Sequence, residues 1–175
     1  MRKLLLIILF SIFGFANNLT LENGEILAHT EVFGDSQIDP KTQDITSILS
    51  MEKGIESIKG DIVIKSLSLR SDNKSRDENM YELLNIKTHP LISYNIEKIQ
   101  KKDTKYEISG TLLLNGIKNK FTSLAIINES MKRVDITGSF SIKLTQFALK
   151  PPVLIFLTVR DQIDINYNLA YIKGK

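Results

Sequence analysis

Only two histidines, His29 and His89, and no cysteine are available in this 175-residue chain for metal ligation or histidine- or thiol-based catalysis. His29 lies beside Glu31 on an early extended stretch, a spacing that puts a base and a carboxylate on one face of a strand. His89 directly precedes Pro90. Neither belongs to an HExxH helix, a G-x-S-x-G elbow or a cluster with metal-ligand spacing. A hydrogen-bonded or solvated histidine is the simpler reading of both, and the chain is read as a non-enzyme with no metal site. An Asp/Glu pair brought together by folding stays open at this point.

Apolar side chains point to a different chemistry, sequestration of an oily molecule. From Val134 to Leu144 every even-numbered residue except Gly138 is apolar, and every odd-numbered one is polar. That period of two belongs to a strand with one dry and one wet face. The candidate ligand-lining residues are the dry faces of such strands: Tyr94, Tyr106, Ile108, Leu112, Ile136, Phe140, Ile142, Ile165, Tyr167 and Leu169. Phe147, Leu154 and Phe156 are placed near a mouth. Plain core packing explains each of these positions equally well. The tyrosines are the more informative ones, because a buried hydroxyl needs a partner, and a ligand headgroup or a water could supply it.

The elements that must position these residues follow the same period. Ile26, Ala28, Thr30 and Val32 alternate, and Gly34-Asp35-Ser36 and Asp39-Pro40 mark turns. Ile45 to Met51 alternates on odd positions. Between Ile62/Ile64 and Leu67/Leu69 the apolar phase slips by one, as at a bulge or bend. Ser75 and Glu78 resemble a capping box ahead of Met80, Leu83 and Leu84, which predicts a short helix ending before His89-Pro90. Ile92, Tyr94 and Ile96 share a face, and so do Tyr106, Ile108, Leu112 and Leu114. Asn115-Gly116 then marks a hairpin. The stretch from Ile117 to Ile127 is apolar on both faces in part, which predicts cover on its outside. Pro151-Pro152 opens an apolar run, Val153 to Val159, read either as a buried plug or as a greasy mouth. The expected fold is all-β: an antiparallel up-and-down barrel of about eight strands with one short helix.

Arg2 and Lys3, an uncharged segment from Leu4 to Phe15 and the small-x-small end Gly14-Phe15-Ala16 describe a signal peptide over residues 1–16. The run is too short for a membrane anchor. A single domain over residues 17–175 would follow, exported and without disulfides. Without Arg2 and Lys3, 21 basic residues face 20 acidic ones, and no basic stripe suggests nucleic acid. The chain has no Trp, and five Phe and five Tyr follow residue 16. Those are too few for the aromatic girdles of an outer-membrane barrel.

Together these features resemble the YceI-like family. Gly110 to Ile117 is similar to its G-x-L-T-I-x-G-V hairpin, with Leu113 in place of Thr. Ile62 to Leu69, followed by Arg76-Asp77-Glu78-Asn79-Met80, resembles its strand and acidic helix. His89 to Tyr94 resembles its P-x-I-x-F strand start. Where the family has R-x-D-F-G, this chain keeps only Phe147, with Leu144, Gln146 and Ala148 replacing Arg, Asp and Gly. The resemblance implies a lipocalin-like barrel and a soluble periplasmic protein that binds a long amphiphile, a polyisoprenoid or isoprenoid quinone, as carrier, store or scavenger. Beyond such a bound lipid it implies no cofactor. Fatty acids or their amides fit the same physics. Transient membrane contact and a monomeric or homodimeric state are compatible with it. The alternative is a stress-related interaction module whose barrel is filled by its own side chains.

Overall fold

A computed structural model describes residues 17–32, 35–154 and 157–174; the predicted signal peptide lies outside them. The strands are β1 (Asn17–Val32), β2 (Asp35–Ile38), β3 (Lys41–Thr42), β4 (Ile45–Met51), β5 (Lys59–Lys65) and β6 (Leu91–Lys102). They continue with β7 (Lys105–Leu114), β8 (Ile117–Glu129), β9 (Arg133–Lys143), β10 (Val153–Leu154), β11 (Leu157–Thr158) and β12 (Gln162–Lys173). One α-helix, α1 (Lys74–Leu83), lies between β5 and β6. Strands β1, β4 to β9 and β12 pair antiparallel with their chain neighbours, and β12 returns to β1 to close an eight-stranded barrel.

The period-two faces decide what goes inside. On β7, Ile108, Gly110, Leu112 and Leu114 are buried, and on β9, Val134, Ile136 and Ile142 are. The opposite face of β9 carries Thr137, Ser139, Ser141 and Lys143, all exposed. On this strand the wet half of the alternation is the outer one.

The two ends of the barrel differ. At one end Leu19, Leu49, Met51, Ile58, Ile99, Val134 and Tyr171 form a packed core, each at most 4% exposed. At the other, Ile64, Leu69, Leu84, Leu114, Leu144, Phe147 and Leu149 pack beneath α1 and the 144–161 connection. The wall is irregular beside β1. Only Asn17 to Leu19 pair with β4; higher up, β1 pairs with β3 and β2 instead. Lys41 is held to Arg70 by two backbone hydrogen bonds of 2.9 and 3.0 Å, so the 35–42 segment patches this seam.

Several local expectations are corrected. The helix is capped by Asn73, whose side chain accepts from the Arg76 N–H, and not by Ser75. Asp77 reaches back to the Ser71 N–H and hydroxyl, both at 2.8 Å, which fixes the entry to the helix better than Ser75 could. Of the bulge and the bend that the phase slip allows, the structure has the bend: β5 ends at Lys65 and a 3-10 turn over Ser66–Ser68 leaves Leu67 exposed and Leu69 buried. Leu124 and Ile126 on the outer face of β8 are about half exposed (53% and 48%), so the predicted outside cover is missing from the described residues. In the proline-rich run Val153 pairs with Thr158 and Leu154 with Leu157, so its described residues form two short antiparallel strands, β10 and β11.

Two glycine positions expose how tightly the wall is built. A Cβ on Gly110 would lie 2.2 Å from the Asn95 carbonyl oxygen and 2.8 Å from the Tyr94 ring. Gly110→Ala should therefore cost about 1–3 kcal/mol through overpacking, read as a lower urea midpoint at unchanged slope. The converse holds at Ala148, which ends the 3-10 turn Leu144–Phe147 in the left-handed region with φ 54°. Ala148→Gly should raise stability by about 1 kcal/mol by removing the Cβ penalty of that conformation, measured in the same titration.

Candidate functional site: a blind apolar cavity

Between the packed end and the covered end lies a cavity of about 300 Å³, at the lower limit of small-molecule sites. Its wall comes from the dry faces of the strands. Ile26, Ala28 and Thr30 contribute from β1, Ile62 and Ile64 from β5, and Ile163, Ile165 and Tyr167 from β12. Helix α1 covers it with Arg76, Asn79, Met80 and Leu83, which share one helical face by their spacing of three and four. Pro40, Pro152 and Val159 complete the rim. Arg76 is the one ionisable side chain of Lys, Arg, Asp, Glu or His type among the described lining residues.

Of the sequence-predicted ligand residues, Tyr94, Ile108, Leu112, Ile136 and Phe140 line this cavity, as do Ile142, Ile165, Tyr167 and Leu169. Tyr106 does not: it packs against the core of the far end. Phe147 is fully buried in the cluster beneath the covering elements, and it stacks on Phe121 at 5.9 Å rather than facing the cavity. Leu154 lies on the small hairpin at the mouth, and Phe156 falls outside the described residues. Sequence reasoning missed Arg76 and Asn79 as lining residues. The signal was present in their i, i+4 spacing to Met80 and Leu83, on the same face.

The hydroxyls of the two cavity tyrosines have partners within the protein. Tyr94 donates to the carbonyl of Phe121 at 3.0 Å or of Ile108 at 3.2 Å. Ser123 donates to the Ser139 carbonyl at 2.9 Å, so Tyr167 donates to Ser123 Oγ at 2.7 Å. The open slot for a headgroup at these hydroxyls is therefore already taken. Burial pushes the Tyr94 phenol well above its ordinary value, and it raises Tyr167 despite the Ser123 hydrogen bond. Burial also drives Tyr171, at the packed end, up to about 12. None of them is a base at neutral pH. Phe140 joins the two cavity tyrosines into an aromatic strip, with ring centroids 5.8 Å from Tyr94 and 6.5 Å from Tyr167.

A charged clasp sits outside the mouth. His29 Nδ1 lies 2.6 Å from Asp39 and Nε2 lies 3.2 Å from Glu31. Arg160 pairs with Asp164 and stands 3.9 Å from Glu31, while its N–H donates to the Glu31 carbonyl. Hydrogen bonds from Ser141 and Gln162, then Arg160, hold Asp164 down at about 2. The group ties together Pro40 and Val159, which flank the cavity from different segments. In this clasp each carboxylate is matched to a cation or donor. His89, by contrast, packs its ring against Gly116 in the hairpin turn.

With a carboxylate at each nitrogen, His29 is raised above its ordinary value, first by Asp39 and then by Glu31. Its contribution to stability is therefore fully present below about pH 6.5. It is lost as the pH rises through the raised value. The gap in melting temperature between the native protein and His29→Gln should be widest at acidic pH and close in alkaline buffer. A gap independent of pH would show that the histidine is not charged in the fold.

The geometry agrees with what known proteins share with this chain. The YceI-like domain family matches residues 20–171. Among solved structures, Burkholderia cenocepacia BcnA superposes with a TM-score of 0.74 at 14% identity, covering 84% of this chain and 95% of that one. The Campylobacter jejuni YCEI protein gives 0.65 at 18% identity over 77% and 84%. A polyisoprenoid binding domain from Saccharophagus degradans, implicated in plant cell wall breakdown, gives 0.60 at 11% over 90% and 98%. No curated protein matches the chain by sequence. At these identities the likeness is one of fold, but the family match spans nearly all of the barrel, and the chain belongs to the YceI-like family.

Proposed function

We propose that the protein binds one long-chain amphiphile, tail inward, in the covered half of the barrel and serves as its carrier, store or scavenger. The observation that carries this reading is the cavity itself: about 300 Å³, walled almost entirely by apolar side chains and closed at its far end by packed core. Each methylene transferred there from water contributes about 0.8 kcal/mol before ordering costs. A hydrocarbon tail is thus bound by burial alone, with polar contacts left to orient its head. The polyisoprenoid-binding neighbour favours a prenyl lipid or quinone; fatty acyl chains obey the same energetics. No acid and base are matched among the described lining residues, which supports binding over turnover.

Export fits this role. Residues 1–16 read as a cleaved signal peptide, which would deliver the barrel to the periplasm, between two membranes with lipids to move. Delivery or pickup there would need transient contact of the mouth with a bilayer.

Protein purified without detergent and extracted into organic solvent should release a long-chain lipid visible by mass spectrometry. Ala28 faces the cavity with little bulk, and Ala28→Phe should fill the space instead of straining the core. We expect this variant to melt no lower than the native protein and to bind a prenyl alcohol or fatty acid at least tenfold more weakly. No co-purifying lipid together with no uptake of either probe would leave a filled interaction module as the better account.

A further inference from the structure

We propose that the floor of the cavity is a fixed chain-length stop, in which Leu169 of β12 and the residue facing it, Gly24 of β1, set how long a tail the barrel accepts. This inference rests on the lipid-binding reading and adds to it a limit on the ligand. Along β9 the lining runs from Ile142 down to Ile136, about 20 Å of strand, or about 15 Å along an axis from which strands tilt by about 40°. The cavity then ends on Ile96, Ile108, Ile136 and Leu169. Each is at most 3% exposed and belongs to the packed core beneath. Below them Val134 and Tyr171 are fully buried, and Tyr171 is tied by its hydroxyl to Ser47 at 2.9 Å. A tail tip reaching this level meets side chains that have nowhere to retreat.

Leu169 is the adjustable part of that floor. It pairs directly with Gly24, and a Cβ placed on Gly24 would fall 2.7 Å from Leu169 Cδ2. The next contacts are 3.2 Å away, at the Asn168 carbonyl oxygen and Ile45 Cδ1. The atom that must give is the far end of a flexible side chain, and the open space beside it is the cavity. Glycine at position 24 thus lets Leu169 lie back against the wall and keeps the floor low. Shortening Leu169 lowers the floor further, and adding a methyl at position 24 raises it.

The consequence is a break in how affinity depends on chain length. For n-alkyl carboxylates from octanoate to icosanoate, Kd measured by calorimetry should improve about fourfold per added methylene while each is newly buried. It should then level off once the tip touches the floor. Leu169→Ala should move that break to longer chains, and Gly24→Ala should move it to shorter ones. Because the glycine variant asks chiefly the Leu169 end to shift, and only a few tenths of an ångström of the Asn168 carbonyl and Ile45, it decides the matter even where Leu169→Ala does not fold. A break at the same length in the native protein and the variants, with binding retained, overturns the stop and leaves the lipid-binding reading standing. Failure of every alkyl and prenyl probe to bind the native protein overturns both.

Discussion

An eight-stranded antiparallel ring encloses just enough room to be filled by side chains or to hold one small ligand. This barrel does one thing at each end. The return of β12 to β1, in register from Leu19–Lys173 to His29–Asp164 with a shift near Asn23, makes the ring, and every inward position then competes for the same volume. At the packed end that volume goes to Leu49, Ile58, Val134 and Tyr171. At the other end β1 presents Ala28 and Thr30, and those smaller side chains leave space that the opposite wall does not reclaim. A hollow of this kind persists because its lid is anchored independently. Tyr81 on α1 donates to the Leu69 carbonyl at 2.7 Å, and Leu144 and Leu149 anchor the return connection in the cluster below it.

The glycines and tyrosines of the wall show how the aromatic side was accommodated. Tyr94 lies over Gly110 and Tyr167 over Gly138, where a Cβ would come within 2.8 and 2.4 Å of tyrosine atoms respectively. Large rings are thus laid flat across neighbouring strands in positions where a strand would otherwise carry a side chain. Their hydroxyls end on backbone or on Ser123, so no described buried polar side-chain atom is left unpaired. The aromatic strip is structural in its polar contacts and available to a ligand only through its faces and edges.

Much of this was legible in the residues. Strict alternation on β4, β7, β9 and β12 fixed which side chains point inward, because a strand's faces are set by counting. Asn115-Gly116 gave the hairpin through its tolerance of positive φ, seen at 49° and 72°. What escaped was whatever depends on three dimensions. Tyr106 and Leu112 share a dry face, yet only Leu112 borders the cavity; depth along the barrel axis has no signature in alternation. Phe147 read as a mouth residue because it sits among loop residues, but a single turn of 3-10 helix swings it into the core. The helix cap moved from Ser75 to Asn73 because Asp77 pairs with Ser71, an interaction that a sequence template for capping does not contain. Leu124 and Ile126 were read as covered because apolar residues on both faces usually mean burial, and the outer face of β8 leaves them half exposed.

The tolerance of this architecture to sequence change follows from the same volume constraint. Cores accept extensive hydrophobic exchange when total volume and patterning are kept, so a TM-score of 0.74 at 14% identity needs no shared residues beyond the pattern. Positions that are not interchangeable are then the ones where backbone geometry or an empty space is specified. Ala148 occupies a left-handed position, and Leu144, Gln146 and Ala148 stand where the family resemblance leads one to expect Arg, Asp and Gly. Leu144 is buried and apolar at the cavity wall, while the charge at the cavity comes from Arg76 on α1, a different element. The ring can therefore be common to the family while the charge beside the hollow comes from a different element in this chain. On the proposed lipid-binding reading, selectivity for a headgroup sits in α1 and the elements at the rim, and selectivity for tail length in the strands beneath.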